Sequence, residues 1–274
     1  MSTTAPVAIP SSGGIRWMLL DSWTLTLRGL AHWRRNPGPV VFALAFNIVV
    51  VLMFVYLFGG SMRVPGGGDY RDYLVPGMFT MTMLFGIGAT ALAVTTDVDR
   101  GVTDRFRSMP ISAAAVLIGR AAGDMLLSVL TLTVMMLTGL VLGWRHHGSL
   151  SDLCAAIALI LLLRFALIWI GVYLGLAFTS SAAIIGVQTA EFPIGSLSGV
   201  FVATTAMPTW LRTLADWNPL SATVNATRSL FGNPGVVTDT WVTAHSTLMA
   251  ILWPVALLLI FIPLSINAFR NLSR

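Results

Sequence analysis

The run VVFALAFNIVVVLMFVYLF, residues 40–58, contains no charged residue. A helix that crosses a bilayer needs roughly 20 consecutive apolar residues, so this run is long enough to span the hydrocarbon core. Five further apolar runs follow it. Because backbone groups in lipid must be hydrogen-bonded within their own segment, and no alternation typical of barrel strands occurs, these runs are predicted to be helices. The predicted spans are 40–58, 74–96, 113–143, 153–178, 182–206 and 246–269.

The composition of the whole chain agrees with this fold class. Of 274 residues, 56% are hydrophobic and 10% are charged, whereas soluble domains carry about a quarter charged residues. The sequence therefore predicts an all-α integral membrane protein with six transmembrane helices and both ends on one side. If that side is the cytoplasm, the inner segments hold nine arginines and the outer segments five, which agrees with the positive-inside rule.

The residues before the first span divide into two predicted parts. Residues 1–14 lack the basic and apolar regions of a signal peptide and are expected to form a disordered cytoplasmic tail. Residues 15–36 have tryptophans on one helical face and arginines on the opposite face, which indicates an amphipathic helix in the headgroup plane. The alternative is a first transmembrane helix that is too polar to insert well.

Residues 97–112, DVDRGVTDRFRSMPIS, form the most polar stretch of the chain, with three acidic and three basic side chains. Thr96 and Asp99 have the spacing of a capping box, so a helix is expected to begin here, and Pro110 is expected to end it. Charges of both signs on one face orient a protein partner. The stretch is therefore interpreted as a cytoplasmic docking helix; the alternative is an ordinary loop that obeys the positive-inside rule.

Several function classes are disfavoured by residues that the chain lacks. It has sixteen arginines and no lysine, and a P-loop needs its lysine to reach the phosphates of ATP. Any lysine-dependent ATPase must therefore be another polypeptide. The single cysteine, Cys154, excludes an internal disulfide, and the four histidines show no metal-ligand spacing. No nucleophile is paired with a base, so no catalytic residue is predicted. Neither a metal nor a nucleic-acid partner is predicted.

Four charged residues lie within the predicted spans: Arg120, Asp124, Arg164 and Glu191. Charges in a bilayer cost at least about 2.5 to 3.5 kcal/mol each and usually face protein or water. Their formal charges sum to zero, and the four residues lie at similar predicted depths in the membrane. This indicates a network of compensated charges across spans three, four and five. Arg164 and Glu191 are expected to form its long-range pair. The network could stabilise packing alone, or act as a gate whose pairing changes during transport.

Two motifs give the sequence a family resemblance. Residues 97–124 resemble the cytoplasmic signature of ABC-2 type permeases, in particular that of the daunorubicin-resistance subfamily of bacterial ABC exporters. The matching positions are Asp97, Gly101, Asp104, Arg105, Arg107, Pro110, Ser112, Gly119, Arg120 and Asp124. Residues 207–231 resemble the family's outer motif of short re-entrant helices before the last span. Its matching positions are Pro208, Trp210, Leu211, Asn218, Pro219 and Arg228.

The resemblance implies that residues 37–274 are the transmembrane domain of an exporter in a bacterial plasma membrane, and that the chain is not an enzyme. Two copies of it, as a homodimer, would join two P-loop ATPase subunits that bind ATP and Mg; this chain would bind no cofactor. The cargo would be a lipophilic or amphipathic compound, such as an antibiotic or an envelope lipid. The stretch 97–112 would be the coupling helix, and the residues expected to dock are Asp97, Arg100, Gly101, Asp104, Arg105, Phe106, Arg107 and Pro110.

Two other function classes remain open from the residues alone. An ion-coupled secondary transporter would need no ATPase, and Glu191 near Pro193 could mark a broken proton-coupled helix, although no internal repeat is visible. A membrane enzyme acting on lipid-linked substrates would need clustered acidic or histidine residues at the interface. The chain has one glutamate and scattered aspartates, which disfavours that class.

Overall fold

The computed structural model of the chain describes residues 37–59, 64, 67–103, 113–178 and 180–272. The predicted tail 1–14 and the predicted interfacial helix 15–36 lie outside the described residues. So do residues 104–112 of the predicted docking helix 97–112, which we call the docking stretch. The described residues form helices joined by turns. In chain order these helices are α1 (Gly38–Phe58), α2 (Tyr70–Leu84), α3 (Ile87–Asp99), α4 (Ala113–Val141), α5 (Leu150–Ala177), α6 (Ser181–Ser196), α7 (Thr209–Asp216), α8 (Pro219–Phe231), α9 (Trp241–Ala244) and α10 (Ser246–Arg270).

Five helical segments are long and apolar enough to cross a membrane. They are Val40–Phe58, Tyr70–Asp99, Ala114–Val141, Leu150–Ala177 and Ser246–Arg270. These segments coincide with the predicted first, second, third, fourth and sixth spans, and the predicted all-helical, multi-pass membrane fold is confirmed. The predicted count of six spans is not confirmed, because the fifth predicted span has a different structure.

The predicted fifth span, 182–206, is replaced by the shorter helix α6, which ends at Ser196. Its 16 residues extend about 24 Å at a rise of about 1.5 Å per residue, less than the roughly 30 Å of a hydrocarbon core. The chain then continues in turns that are mostly buried. The predicted span extended beyond the helix because the sequence stays largely apolar as far as Val202. Ser198 and Gly199, which favour turns, lie within that region.

The predicted second span is one apolar run, but the structure divides it into α2 and α3. Phe85 and Gly86 lie between the two helices in a turn. This break was not predicted from the sequence, because glycine within an apolar run is common in membrane helices. Since Tyr70–Asp99 as a whole is a candidate span, the break lies inside the membrane segment.

Helix α5 is the centre of the packing and contacts α3, α4, α8 and α10. Gly171 and Gly175 allow α3 to approach closely, because a Cβ at these positions would lie 2.7 Å from the Ile87 carbonyl oxygen and 2.5 Å from that of Ala91. Small residues of this kind drive close helix packing in membranes. Helices α1, α4 and α10 instead expose rows of large apolar side chains, as expected of helices that face lipid.

The docking stretch begins as the last turn of α3, so the predicted helix start at Thr96 is wrong. Thr96 Oγ1 donates to the Leu92 carbonyl oxygen at 2.7 Å within α3 and does not cap a new helix. Arg100 and Gly101 follow in a turn. Gly101 has a φ of 66°, the left-handed conformation that commonly ends helices.

Candidate functional site

The break between α2 and α3 leaves backbone groups without helical partners inside a candidate span. The last carbonyls of α2 and the first N–H groups of α3 cannot make intrahelical hydrogen bonds. A buried polar group that stays unsatisfied costs about 1 to 3 kcal/mol. Partial negative charge collects at the end of α2 and partial positive charge at the start of α3. The two ends therefore favour a cation and an anion, respectively.

A buried arginine on α5 binds the α2 side of the break. Arg164 is 6% exposed. Its Nη1 donates to the Met83 carbonyl oxygen at 3.0 Å and its Nη2 to the Gly86 carbonyl oxygen at 3.4 Å. Its Nε donates to Ser128 Oγ on α4 at 2.8 Å. The contact leaves no space for a side chain at position 86: a Cβ there would lie 2.5 Å from both terminal nitrogens of Arg164, so the guanidinium would have to shift.

A buried glutamate on α6 binds the α3 side of the break. Glu191 is also 6% exposed, and its Oε1 accepts a hydrogen bond from the Gly88 N–H at 2.6 Å. Among the described residues, Arg164 and Glu191 form no ion pair within 4.0 Å, so the predicted direct pair is wrong. Each charge is instead matched by the end of a helix with the opposite partial charge.

A chain of polar contacts joins Arg164 to the last turn of α3. Thr90 Oγ1 accepts from Arg164 Nη2 at 3.5 Å and donates to Asp124 Oδ2 at 2.8 Å. Asp124 Oδ1 lies 3.6 Å from Arg120 Nε, and Arg120 Nη1 lies 3.1 Å from Asp97 Oδ2. We call this series, from Asp97 through Arg120, Asp124 and Thr90 to Arg164, the polar path. It connects three of the four predicted intramembrane charges directly, and Glu191 meets it through the backbone of α3.

Sequence reasoning missed several members of this arrangement. It assigned Asp97 to the docking surface and did not connect it to Arg120. It also missed Thr90 and Ser128, because an uncharged polar side chain does not stand out in an apolar span as a charged one does. The available signal was spacing, since Thr90 and Asp97 are seven residues apart and therefore share one face of α3. Contacts between different helices leave no such signal in a single sequence.

Of the predicted docking residues, the structure describes Asp97, Arg100 and Gly101. Asp97 belongs to the last turn of α3, and Arg100 is exposed just beyond it. The remaining predicted docking residues lie outside the described residues: Asp104, Arg105, Phe106, Arg107 and Pro110.

A second buried arginine binds the chain just beyond the end of α6. Arg228 Nη1 donates to the Gly199 carbonyl oxygen at 2.7 Å, and Nη2 to the Val200 carbonyl oxygen at 3.0 Å. Its Nε donates to the Tyr73 carbonyl oxygen at 2.9 Å, and its guanidinium carbon lies 3.6 Å from the centre of the Tyr73 ring. Arg228, predicted from the outer motif, thus ties α8 to α2 and to the turns after α6.

Asn218 supports the same end of α6 from the start of α8. Its Nδ2 donates to the carbonyl oxygens of Ile194 and Leu197 at 3.2 and 3.1 Å. Its Oδ1 caps α8 by accepting from the Leu220 N–H at 2.9 Å, and Pro219 occupies the first position of α8, where proline is favoured. Three predicted outer-motif residues remain: Pro208 lies just before α7, Trp210 lies on its exposed face, and Leu211 lies in α7 and is partly buried.

Comparison with known proteins identifies the family of this chain. A family model described as ABC-2 type transporter matches residues 21–231. The chain is 28% identical, across 98% of both chains, to the daunorubicin resistance ABC transporter permease protein DrrB1 of Streptomyces coeruleorubidus. It is 22% identical, across 84% of both chains, to the probable doxorubicin resistance ABC transporter permease protein DrrC of Mycobacterium tuberculosis. The resemblance that the two motifs indicate is confirmed, and because the family model covers most of the sequence, the chain belongs to the ABC-2 type transporter family.

Proposed function

We propose that this chain is the membrane-spanning permease subunit of an ATP-binding cassette exporter for a lipophilic or amphipathic compound. The family match and the relatives named for daunorubicin and doxorubicin resistance support this cargo class. ATP and Mg would be bound by a separate ATPase, and the lack of lysine in this chain supports that division of labour. The role of the chain is transport and not catalysis.

The polar path is the observation that carries this proposal. It begins at Asp97, where the docking stretch starts, and ends at Arg164, beside the helix break in the membrane. An ATPase that binds residues 97–112 would displace the end of α3. Because α3 is anchored at both its ends, this displacement would change the contacts of Thr90 and Arg164, and so the position of α5. We therefore favour a network that changes with the transport state over one that stabilises packing alone.

The assembly that this function requires contains more than one chain. We propose a homodimer of this subunit with two copies of the ATPase, in a bacterial plasma membrane and surrounded by lipid. Both ends of the chain would be cytoplasmic, as the arginine distribution indicates. In this arrangement residues 97–112 face the ATPase, and α7 and α8 lie on the outer side as the family's re-entrant helices.

We also propose that the chain crosses the membrane six times. Residues 197–203, after α6, are non-helical but mostly buried. Arg228 and two tyrosine hydroxyls donate to carbonyl oxygens in this segment. Non-helical backbone is tolerated at membrane depth where protein surrounds it. Helix α6 and this segment together would supply the length that the helix alone lacks.

Docking of the ATPase can be tested by exchanging two neighbouring charges in the coupling helix. We expect the tagged native protein, purified in mild detergent, to retain a P-loop ATPase subunit with measurable ATP hydrolysis. The double variant Asp104→Arg, Arg105→Asp keeps the net charge and reverses the local pattern. It should lose the ATPase while the permease remains folded in the membrane, because charge complementarity sets docking.

The matched control is the same kind of exchange at the opposite end of a span, Arg71→Asp with Asp72→Arg. These neighbours lie in the first turn of α2, on the predicted outer side, and their exchange should leave the ATPase bound. Retention of the ATPase by the 104–105 variant, or its loss in both variants, would contradict the docking role.

The helix break also favours a second candidate function, an ion-coupled secondary transporter. Broken helices within the membrane are typical of secondary transporters, and here a carboxylate lies at the break. This alternative predicts that the isolated chain in vesicles moves substrate under an imposed pH gradient without nucleotide. The exporter proposal predicts no movement until the ATPase and ATP are added.

A further inference from the structure

Helix α7 is amphipathic in the opposite sense to a helix in water. Its exposed face carries Trp210, Leu214 and, one residue beyond the helix, Trp217, which are 68%, 59% and 54% exposed. The spacing of four and three residues aligns them in one stripe. A helix at a protein surface in water buries its apolar stripe and exposes its charges. The exposed stripe of α7 therefore points to an apolar environment.

The charged residues of α7 are turned inward and are paired. Asp216 is buried, and its Oδ2 lies 3.6 Å from Arg212 Nε. Arg212 Nη2 also lies 3.0 Å from Asp239 Oδ2, which ties α7 to the segment just before α9. The outward stripe is left uncharged, so the surface that it contacts need not supply a compensating charge.

The last span shows where that surface lies. Exposed apolar side chains recur along one face of α10 at Leu248, Leu252 and Leu259, and Trp241 in the preceding helix α9 is exposed as well. Because α10 is a candidate span, we expect lipid to cover this exposed face. Trp241 lies five residues before Ser246, the first residue of this candidate span. Tryptophan is enriched at this level, with its ring among the headgroups.

We propose that α7 lies on the same membrane surface, with Trp210, Leu214 and Trp217 inserted among the lipid headgroups at the Ser246 end of α10. The ion pair between Arg212 and Asp239 holds α7 beside the segment that carries Trp241. Lipid fits better than a second copy of the chain, because tryptophan and leucine on one face are typical of interfacial helices. The stripe also lies on a helix that Arg212 ties to the segment leading into a candidate span. This placement does not depend on the cargo or on the ATPase.

The test uses fluorescence of the full chain in lipid vesicles. The single cysteine, Cys154, is replaced by serine, and cysteines are introduced one at a time as Trp210→Cys and Trp217→Cys. Each is labelled with bimane and quenched either by iodide in the water or by lipids with a nitroxide near the headgroup. Ser151→Cys, at an exposed site in the first turn of α5, is the water control. Leu248→Cys, exposed in the first turn of α10, is the lipid control.

We expect the labels at 210 and 217 to be quenched several-fold less by iodide than the label at 151, and strongly by the nitroxide lipids. Iodide quenching equal to that at 151 would overturn the proposal and leave α7 in water. Protection from both quenchers would also overturn it, because protein and not lipid would then cover the stripe. Two positions are used so that a folding defect in one variant does not decide the result.

Discussion

The two buried arginines at helix ends donate hydrogen bonds to backbone carbonyls. Arg164 and Arg228 each donate to two carbonyl oxygens in the last turn of a helix or just beyond its end. The guanidinium group is planar, always charged and carries five donors in a fixed fork, so one side chain can satisfy several carbonyls at once. This explains why, within the described residues, neither arginine has an acidic partner at ion-pair distance.

Replacing Arg164 by leucine should destabilise the fold. The carbonyls of Met83 and Gly86 would lose their donors, and each unsatisfied buried group costs about 1 to 3 kcal/mol. We expect a loss of at least about 2 kcal/mol in the free energy of unfolding, measured by denaturant titration in detergent. Arg164→Lys keeps the charge but not the fork and should lie between the two. A leucine variant as stable as the native chain would contradict this role.

Gly86→Ala should disturb the same contact from the other side. The added Cβ would lie 2.5 Å from both terminal nitrogens of Arg164, and overpacking of this kind costs about 1 to 3 kcal/mol. The matched control is Gly123→Ala in α4, where a Cβ would meet nothing within 4 Å. That change should be neutral or stabilising by up to about 1 kcal/mol. Equal unfolding temperatures for the two variants would show that the guanidinium does not need the glycine.

Helix α3 is the element that joins the membrane interior to the docking stretch. Its start is held by Glu191 and its last turn by Arg120. Along its length it packs closely against α5 at Gly171 and Gly175. Because the helix is held at these three places, we expect it to move as one piece, so that a force on its last turn would reach the break beside Arg164.

Thr90→Val should separate ATP hydrolysis from transport. Valine keeps the shape of the side chain but removes the hydroxyl that connects Asp124 with Arg164, and one hydrogen bond is worth about 1 kcal/mol. We expect a small loss of stability, near-normal ATP hydrolysis and a several-fold lower amount of cargo moved per ATP. The measurement is transport and hydrolysis by the complex reconstituted in vesicles.

The control for this variant is Thr95→Val on the same helix. Thr95 is also buried, and its hydroxyl donates to the Gly175 carbonyl oxygen at 2.9 Å, so the same kind of bond is lost outside the polar path. Its stability should fall equally while its transport per ATP stays normal. A parallel fall in transport for both variants would assign Thr90 to packing alone.

The sequence predicts these elements well where the signal is local. The length of an apolar run is read directly from neighbouring residues, so five helical segments appear where they are expected. The break at Gly86 and the end of α6 depend instead on distant partners; Arg164 lies 78 positions from Gly86. The charged residues of the site could likewise be named from composition, but their partners are backbone atoms and neutral side chains, which a single sequence does not connect.

At the scale of the whole molecule, the number of crossings is decided by α6. Five crossings would place the two ends of the chain on opposite sides of the membrane, and six would place them together. The arginine distribution favours six, and so does the support that Arg228 and Asn218 give to the buried turns after α6. If residues 197–203 lay at membrane depth, their backbone carbonyls would need hydrogen-bond donors from the protein, and these side chains supply them.

The crossing by α6 can be measured with a membrane-impermeant maleimide on intact cells, in the Cys154→Ser background. Ala182→Cys stands at the start of α6 and Thr205→Cys follows the buried turns, and both sites are exposed. We expect labelling at 205 and protection at 182 until the cells are opened, because a sixth crossing separates the two positions. Ser151→Cys, on the predicted outer side, should label in intact cells and serves as the control. Equal labelling at 182 and 205 would show that α6 enters and leaves the membrane on one side, and the two ends of the chain would then face opposite compartments.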